Sequence, residues 1–210
     1  LELDITATRG SAKLHQAMAA DSADMGLGSG PGLGFVMRGA PEIGFLASHG
    51  APLNIGILVT KNSPLYKKGM TIKDLKGAKI GVSTSSSLTY FLATRMAVNQ
   101  GWGANGVTPV PLGGSSANVA AAKAGNTDAF VNSVDTGFKL EEKGSARVFL
   151  SFGDYIKDFH THVLYVTNKF RKKNPDAVRR FAKAWLETTK LVLADKELMI
   201  KRAMKQLKFS

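Results

Sequence analysis

The chain has 210 residues, of which 44% are hydrophobic, so it is long enough for one large domain or for two lobes of about 100 residues each. It has no cysteine, which excludes disulfides, thiol nucleophiles and thiolate metal sites. No apolar stretch comes near the ~20 residues that a membrane-spanning helix needs.

The net charge of +12 is concentrated towards the end of the chain. Residues 169–208 hold 13 of the 28 Lys and Arg residues and only 4 acidic residues, which gives this segment a charge of +9. A basic segment can bind nucleic acid, but here the apolar residues repeat at helical spacing along one stripe. We therefore interpret the charge as the solvated face of helices and expect no nucleic-acid partner.

Predicted strands and helices alternate along the chain, because the spacing of apolar residues changes from every second to every third or fourth residue. In chain order we expect a strand at 1–7, a helix at 11–20, a strand at 23–27, a helix over 31–39, strands at 43–47, 55–60 and 79–82, a helix over 88–100, a strand at 108–112, a helix at 115–124, strands at 129–131, 147–151 and 162–167, a helix from 174 and a helix at 196–207. This order predicts α/β layers with largely parallel sheets.

A faint internal repeat is the most informative feature of the sequence. When the chain is shifted by 104 residues, Gly10-Ser11 falls on Gly114-Ser115 and Ser29 falls on Ser133 without a gap. A repeat of this length is too long for a solenoid unit, so it predicts two similar lobes. The counterparts of the strand and helix predicted at 79–100 would lie before Leu1, so we expect the sequence to begin one strand and one helix late. Because the first residue is Leu1 and no signal segment opens the chain, we expect that a leader has been removed or that the sequence is a fragment.

Four stretches resemble a known family in their order and spacing. They are ADMGLGSGPGLGFVMRG at 23–39, GAPLNIGILVTKNSPL at 50–65, IKDLKGAKIGVSTSSSLTYFLATRMA at 72–97 and VAAAKAGNTDAFVNS at 119–133. Together they resemble the nitrate, sulfonate and taurine group of ABC-importer solute-binding proteins, which includes relatives that bind thiamine-pyrimidine precursors. The family's first strand and helix are not in this sequence, which leaves the set of ligand contacts incomplete.

The resemblance implies an α/β, two-lobed periplasmic-binding-protein fold of type II, with two crossover hinge strands and a ligand cleft between the lobes. The hinge strands would be residues 57–62 (ILVTKN) and 163–168 (VLYVTN), which are alike in sequence and would run side by side. Lobe one would comprise residues 1–61 and 166–210, and lobe two residues 64–163.

The candidate ligand-binding residues lie where predicted strands end and helices begin. A helix N-terminus offers unpaired backbone N–H groups to an anion or a carbonyl oxygen, and the serine run 83–87 precedes such a helix. An ordinary N-cap would use only one of these hydroxyls. Glycines after the strand at 23–27 allow a close ligand approach or simply a tight turn. The residues that we expect to contact the ligand are Gly28, Ser29, Gly30, Ser85, Ser86, Ser87, Asn132, Ser133 and His160.

The function implied by the resemblance is solute capture by hinge closure, followed by delivery to an ABC permease in the inner membrane. The solute would be small, anionic or polar, and sulfonate-, nitrate- or taurine-like. We expect a monomer that is periplasmic or lipid-anchored outside the cytoplasm, is not an enzyme, and uses no cofactor and no metal.

Two alternatives remain open. An enzyme on the same scaffold, such as a pyrimidine-precursor synthase, would need a reactive cysteine or a covalently held cofactor. An effector-sensing domain of a transcription regulator would follow a helix-turn-helix.

Overall fold

The computed structural model of the chain describes residues 2–8 and 10–207. These residues fall into two compact units, one formed by Ala7–Thr167 and the other by Leu1–Thr6 with Asn168–Ser210. The first unit contains every described strand and therefore carries the architecture that positions a site.

The larger unit alternates strands with helices much as the sequence predicts. Its elements are α1 (Ser11–Ala19), β1 (Met25–Ser29), a 3-10 turn (Gly30–Gly32), α2 (Leu33–Met37), β2 (Glu42–His49), β3 (Ile55–Thr60), a second 3-10 turn (Ile72–Leu75), β4 (Lys79–Val82), α3 (Leu88–Asn99), β5 (Thr108–Pro111), α4 (Ser115–Lys123), β6 (Ala129–Ser133), α5 (Val134–Glu142), β7 (Ala146–Ser151), α6 (Phe152–Tyr155) and β8 (His162–Thr167). Sequence reasoning missed the helices α5 and α6.

The strand expected at 1–7 does not form, since residues 2–8 have no regular secondary structure; Leu1 lies outside the described residues. Alternating apolar and polar residues suit a strand only where a neighbouring strand satisfies the backbone groups. No strand of the described part of the chain pairs with residues 2–8.

The strands form two separate sheets. Strands β5, β4, β6, β3 and β7 lie in that order in a five-stranded sheet, and β1, β8 and β2 form a three-stranded sheet. The expectation of largely parallel sheets is wrong: of the strand pairings in the described residues, only β4 with β5 and β4 with β6 are parallel.

The antiparallel pairings involve β8 and β3, the two strands that follow the crossings between the sheets. Strands β1 and β2 flank β8, and β6 and β7 flank β3, and in each case the central strand runs opposite to both neighbours. The two flanking strands of each sheet therefore run in the same direction. A helix connects them along the chain, as is usual for strands of the same direction. In the chain, each central strand follows the flanking strands of the other sheet: β3 follows β1 and β2, and β8 follows β6 and β7.

The prediction that residues 57–62 and 163–168 run side by side is wrong, because β3 and β8 lie in different sheets. The crossovers are instead the segments that precede these strands, after β2 and after β7. These segments do meet: the Thr161 N–H donates to the His49 carbonyl at 2.8 Å, and its hydroxyl donates to the Gly50 carbonyl at 3.4 Å. The similar sequences of the two strands reflect equivalent places in two sheets, since each strand is the central strand of a trio.

The bounds of the elements reproduce the 104-residue repeat. Helix α1 and strand β1 start at residues 11 and 25, and α4 and β6 start at 115 and 129. Strands β2 and β7 start at 42 and 146, which is again the same shift. The repeat seen in a few identities is thus a repeat of structure.

Both faces of the five-stranded sheet are covered. Along β3 the side chains of Ile57 and Val59 point into one core cluster together with Leu92 and Met96 of α3. Leu58, between them, points into a second cluster on the opposite face. This alternation is the normal geometry of a strand, and burial on both faces explains the continuous apolar run of β3.

A third apolar cluster holds α1 against the three-stranded sheet. Leu14 and Met18 lie four residues apart on α1 and pack against Val163 and Tyr165 of β8. Helical residues four apart share a face, and strand residues two apart do as well, so the two patterns interlock.

The second unit contains α7 (Asn168–Lys173), α8 (Pro175–Ala194) and α9 (Lys196–Leu207). Pro175 begins α8 and Asp176 lies in its first turn, both favourable at a helix start. The apolar stripe of α8 is only partly covered, and its Leu186 is 49% exposed. Among the described residues, no helix is both long and apolar enough to span a bilayer.

Candidate functional site

Polar residues collect at one edge of the five-stranded sheet. The parallel strands β4, β5 and β6 end there, and the helices α3, α4 and α5 follow them. Strand β3 begins at the same edge, because Ile55 pairs with Ser133 at the end of β6. Ligands of open α/β sheets bind outside the carboxyl ends of strands, so this edge is the expected place for a site.

The three-stranded sheet contributes a corresponding edge. His162 begins β8 and is paired with Ser29 at the end of β1 and with His49 at the end of β2. The register of β2 against β8 shifts between Ala47 and His49, a local irregularity of the kind that reorients side chains. Ser48 and His49 at this irregularity both line the cavity described next.

A cavity of about 520 Å³ lies where these edges and the crossovers meet. Its volume is in the range of small-molecule sites. Nine residues line it, and all but Ile55 are polar: Ser48, His49, Asn54, Ile55, Thr89, Asn132, Ser133, Thr161 and His162. The lining includes residues from both sheets but no Lys, Arg, Asp or Glu, so the histidines are its titratable groups.

Asn132 and Ser133, both expected at the site, are part of the lining. The Asn132 amide donates to the Ser115 hydroxyl at 2.7 Å and its carbonyl oxygen accepts from the Ser133 N–H at 2.8 Å. Ser133 caps α5 by accepting from the Thr136 N–H. These bonds fix the two side chains at the cavity wall, while their contact with a ligand remains a prediction.

The serine run divides into a capping residue and two exposed residues. The Ser87 hydroxyl accepts from the Tyr90 N–H at 3.2 Å and donates to the Thr84 carbonyl at 2.7 Å, so it is the N-cap of α3. Ser85 and Ser86 are exposed and do not line the cavity. Thr89, which sequence reasoning did not single out, bonds to the Ser87 hydroxyl at 2.8 Å and does line it.

Gly28, Ser29 and Gly30 are buried, and the structure explains the glycines by packing. A Cβ on Gly28 would lie 3.0 Å from the Tyr165 ring, and one on Gly30 would lie 1.8 Å from the His160 carbonyl oxygen. The Gly30 N–H donates to the Thr161 carbonyl at 3.0 Å. Ser29 bonds to the Ser11 hydroxyl at 2.8 Å, which ties β1 to the start of α1. A ligand contact of these three residues stays a prediction.

The histidines of the second crossover differ in position. His160 is exposed and is not part of the lining, whereas His162 and His49 are, with ring centroids 6.4 Å apart. Burial lowers the pKa of His162 below the ordinary 6.5, and the adjacent His49 lowers it further. No group of three or more His, Asp or Glu within residues 2–8 and 10–207 is placed to hold a metal ion.

Two buried polar contacts stabilise the three-stranded sheet. His15 of α1 bonds to the Glu42 carboxylate at 2.6 Å, and both side chains are almost fully buried. The Tyr165 hydroxyl donates to the Ser29 carbonyl at 2.9 Å. Burial raises the pKa of Tyr165 to about 12, with a further contribution from Glu42. Tyr165 thereby anchors the end of β1 from within the core.

Seven of the nine lining residues were not among those expected at the site, namely Ser48, His49, Asn54, Ile55, Thr89, Thr161 and His162. His49 and His162 carried a signal, since each stands beside a crossover. Asn54 and Thr161 lie in the crossovers. They line the cavity because the chain passes between the sheets there, which no local sequence pattern shows.

The solved structures that match the chain define its fold as that of the periplasmic binding proteins. The alkanesulfonate-binding protein SsuA of Xanthomonas axonopodis pv. citri, solved with MOPS, is 22% identical with a TM-score of 0.78, over 96% of this chain and 68% of that one. The periplasmic aliphatic sulphonate-binding protein SsuA of Escherichia coli is 21% identical with a TM-score of 0.72, over 96% and 67%.

A Candida albicans protein described as having the generic periplasmic binding protein fold is 15% identical with a TM-score of 0.75, over 96% of this chain and 65% of that one. The chain thus spans about two thirds of the length of these neighbours. None of the curated proteins matches it.

The family model described as NMT1/THI5 like matches residues 1–197. The chain therefore belongs to the NMT1/THI5-like family, in agreement with the group that the sequence resembles.

Proposed function

We propose that this protein is the solute-binding component of an ABC importer and captures a small polar or anionic organic solute. The observation that carries the proposal is the cavity lined by both sheets and both crossovers, with eight polar residues and no fixed charge. Hydroxyl, amide and imidazole groups can solvate the oxygens of a small solute without burying an unpaired charge. The sulfonate-binding neighbours of the same fold support a solute of this class.

The helices that follow β4 and β6 strengthen the preference for an oxygen-rich or negative solute. Thr89 at the start of α3 and Ser133 at the start of α5 both line the cavity. The first turn of a helix favours negative charge by about 0.3–1 kcal/mol at exposed sites. The two helices act on the same cavity, so their effects point in one direction.

We infer that capture involves closure of two lobes around the solute. The sequence predicts residues 1–61 with 166–210 as lobe one and residues 64–163 as lobe two. Because β3 belongs to the five-stranded sheet and β8 to the three-stranded one, we propose that the lobe boundaries lie in the crossovers that precede these two strands. The two crossovers are short and are hydrogen-bonded to each other through Thr161, which suits a hinge that bends at a few residues.

A permease of an ABC importer is the proposed partner, and the proposed location is the periplasm, with the protein free as a monomer or held by a lipid anchor. Both proposals follow from the family and from the periplasmic sulphonate-binding neighbour.

The second candidate is an enzyme, since the family also includes synthases. Binding and catalysis differ in the fate of the solute, because a binding protein returns it unchanged.

The test is calorimetric titration of the full chain with ethanesulfonate, nitrate, acetate and neutral pyrimidine, together with mass spectrometry of any solute released by denaturation. We expect at least one anion to bind with a stoichiometry of one and to be recovered unchanged. Pyrimidine binding alone would contradict an anionic solute, and conversion of the bound molecule would favour the enzyme. No binding of any of these compounds, with nothing released, would contradict solute capture.

A further inference from the structure

Two imidazole rings are the titratable side chains in the cavity lining. His49 ends β2, His162 begins β8, and the two residues are paired across the sheet. Their ring centroids are 6.4 Å apart and the rings are tilted by 55°. Within the described part of the chain no hydrogen bond engages either ring, so both have donor and acceptor groups available.

The spacing of the rings suits one anionic oxygen between them. A charge-assisted N–H···O bond is about 2.7–2.9 Å long, so an oxygen that accepts from both rings needs nitrogens no more than about 5.6 Å apart. Ring centroids at 6.4 Å bring ring nitrogens into that range after small rotations.

The charge in the cavity depends on these two rings. The neighbouring elements present uncharged side chains towards them, namely Ser29 of β1, Asn54 before β3, Thr89 of α3 and Asn132 of β6. The Asp135 carboxylate on α5 accepts from the Asn54 amide at 2.7 Å and does not line the cavity. His160 of the same crossover is exposed and lies outside the lining.

We propose that His49 and His162 determine the specificity of this cavity for negative charge, and that an anion binds together with a proton taken up by this pair. The inference rests on the proposed solute-binding function and extends it. The ligand class is a small organic anion with a strongly acidic oxyanion group, such as a sulfonate, whose own charge does not change near neutral pH.

The sign of the pH dependence follows from the two protonation states. In the free protein, burial and the adjacent His49 lower the pKa of His162, so at pH 8 the ring is neutral. A bound anion favours the imidazolium form and raises the pKa of His162. Affinity is therefore greatest below the pKa that His162 has in the free protein, and it decreases as the pH rises from there towards the pKa of His162 in the complex.

The first experiment is titration of the full chain with ethanesulfonate between pH 5.5 and 8, with nitrate as a second probe. The buffer must lack sulfonate groups, so bis-tris is suitable and MOPS is not. Hydrogen bonds to charged groups predict a dissociation constant roughly ten- to hundredfold lower at pH 5.5 than at pH 8. The double variant His49→Gln with His162→Gln keeps polar side chains and should lose this dependence. His160→Gln is the matched control and should keep it.

The second experiment needs no variant. The chain has 4 histidines, so the imidazole carbon-bound protons can be followed individually by NMR. Saturation with ethanesulfonate should raise the pKa of His162 and move the imidazole signals of both His49 and His162, while the signals of His160 stay in place.

The outcomes separate this inference from the proposed function. Binding of ethanesulfonate or nitrate with an affinity independent of pH, or an unchanged pKa of His162 on binding, overturns the role of the histidines and leaves solute binding intact. A pH dependence that persists in a double variant with a native circular dichroism spectrum also overturns it. If the double variant does not fold, the NMR titration of the parent protein decides. If neither anion binds at any pH, the proposal of an anionic solute and this inference fail together.

Discussion

At the scale of single residues, the protein's own packing explains the glycines at the end of β1. A glycine that could allow a ligand to approach the backbone instead allows another part of the chain to do so. Gly30 lies so close to the His160 carbonyl oxygen that a Cβ at this position would collide with it. This contact joins the end of β1 to the second crossover, so it holds the cavity edge in place whether or not a ligand touches it.

Replacement of Gly30 by Ala is expected to destabilise the protein by about 3 kcal/mol or more, since the new Cβ would lie 1.8 Å from a carbonyl oxygen of the main chain. Urea unfolding followed by circular dichroism measures the effect. Gly34→Ala on α2 is the matched control, because its Cβ would meet only the flexible end of Arg38, at 3.6 Å. The control should be neutral or stabilising by up to about 1 kcal/mol. Equal stability of the two variants would show that the backbone at Gly30 moves freely.

Which histidine faces the cavity could not be predicted from the sequence. His160 and His162 both precede or begin β8, and their spacing of two suggests one side of an extended chain. The distinction depends on the pairing of His162 with His49 and on the register shift in β2, neither of which leaves a local pattern. Asn132 and Ser133 were predictable as lining residues, because strand ends that lead into helices gather at one edge.

At the scale of elements, segments with clear boundaries were predicted well. Strands β4 and β8 have the predicted bounds, since each is a short apolar run between polar or glycine-containing segments. Helix α5 was missed because its first residues follow β6 without a turn. The directions of the strands could not be predicted from the sequence either, because the insertion of β3 between β6 and β7 depends on the assembly of the whole sheet.

Ser87 and Ser86 should differ in what their loss affects. Ser87→Ala removes the N-cap of α3 and its bond to the Thr84 carbonyl, so the free energy of unfolding should fall by about 1 kcal/mol. Ser86→Ala, at an exposed position, should change it by less than about 0.5 kcal/mol.

Thermal or urea unfolding checks the stabilities of both serine variants, and titration with ethanesulfonate checks their affinities. If Ser86 contacts the ligand as predicted, its replacement should weaken binding about tenfold, in line with one lost hydrogen bond. A Ser86→Ala variant that binds like the parent would remove this residue from the site. A Ser87→Ala variant as stable as the parent would mean that water replaces the cap.

At the scale of the molecule, the 104-residue repeat and the exchange of central strands describe one architecture. Each half supplies two flanking strands, β1 with β2 or β6 with β7, and the other half's crossover delivers the strand between them. The chain must therefore pass twice between the sheets, and both passages lie at the edges where strands end. A cavity between these edges is a consequence of the topology, and its polar lining follows from the loops and helix starts that gather there.

The central claim is that one small anion is bound by the edges of both sheets. Backbone amide NMR of the isotope-labelled full chain, titrated with ethanesulfonate at pH 6, tests it most directly. The account predicts saturable shifts in both groups of residues, at His49, Thr161 and His162 on one side and at Thr89, Asn132 and Ser133 on the other. Shifts confined to one sheet, or to helices outside Ala7–Thr167, would contradict binding between the two edges.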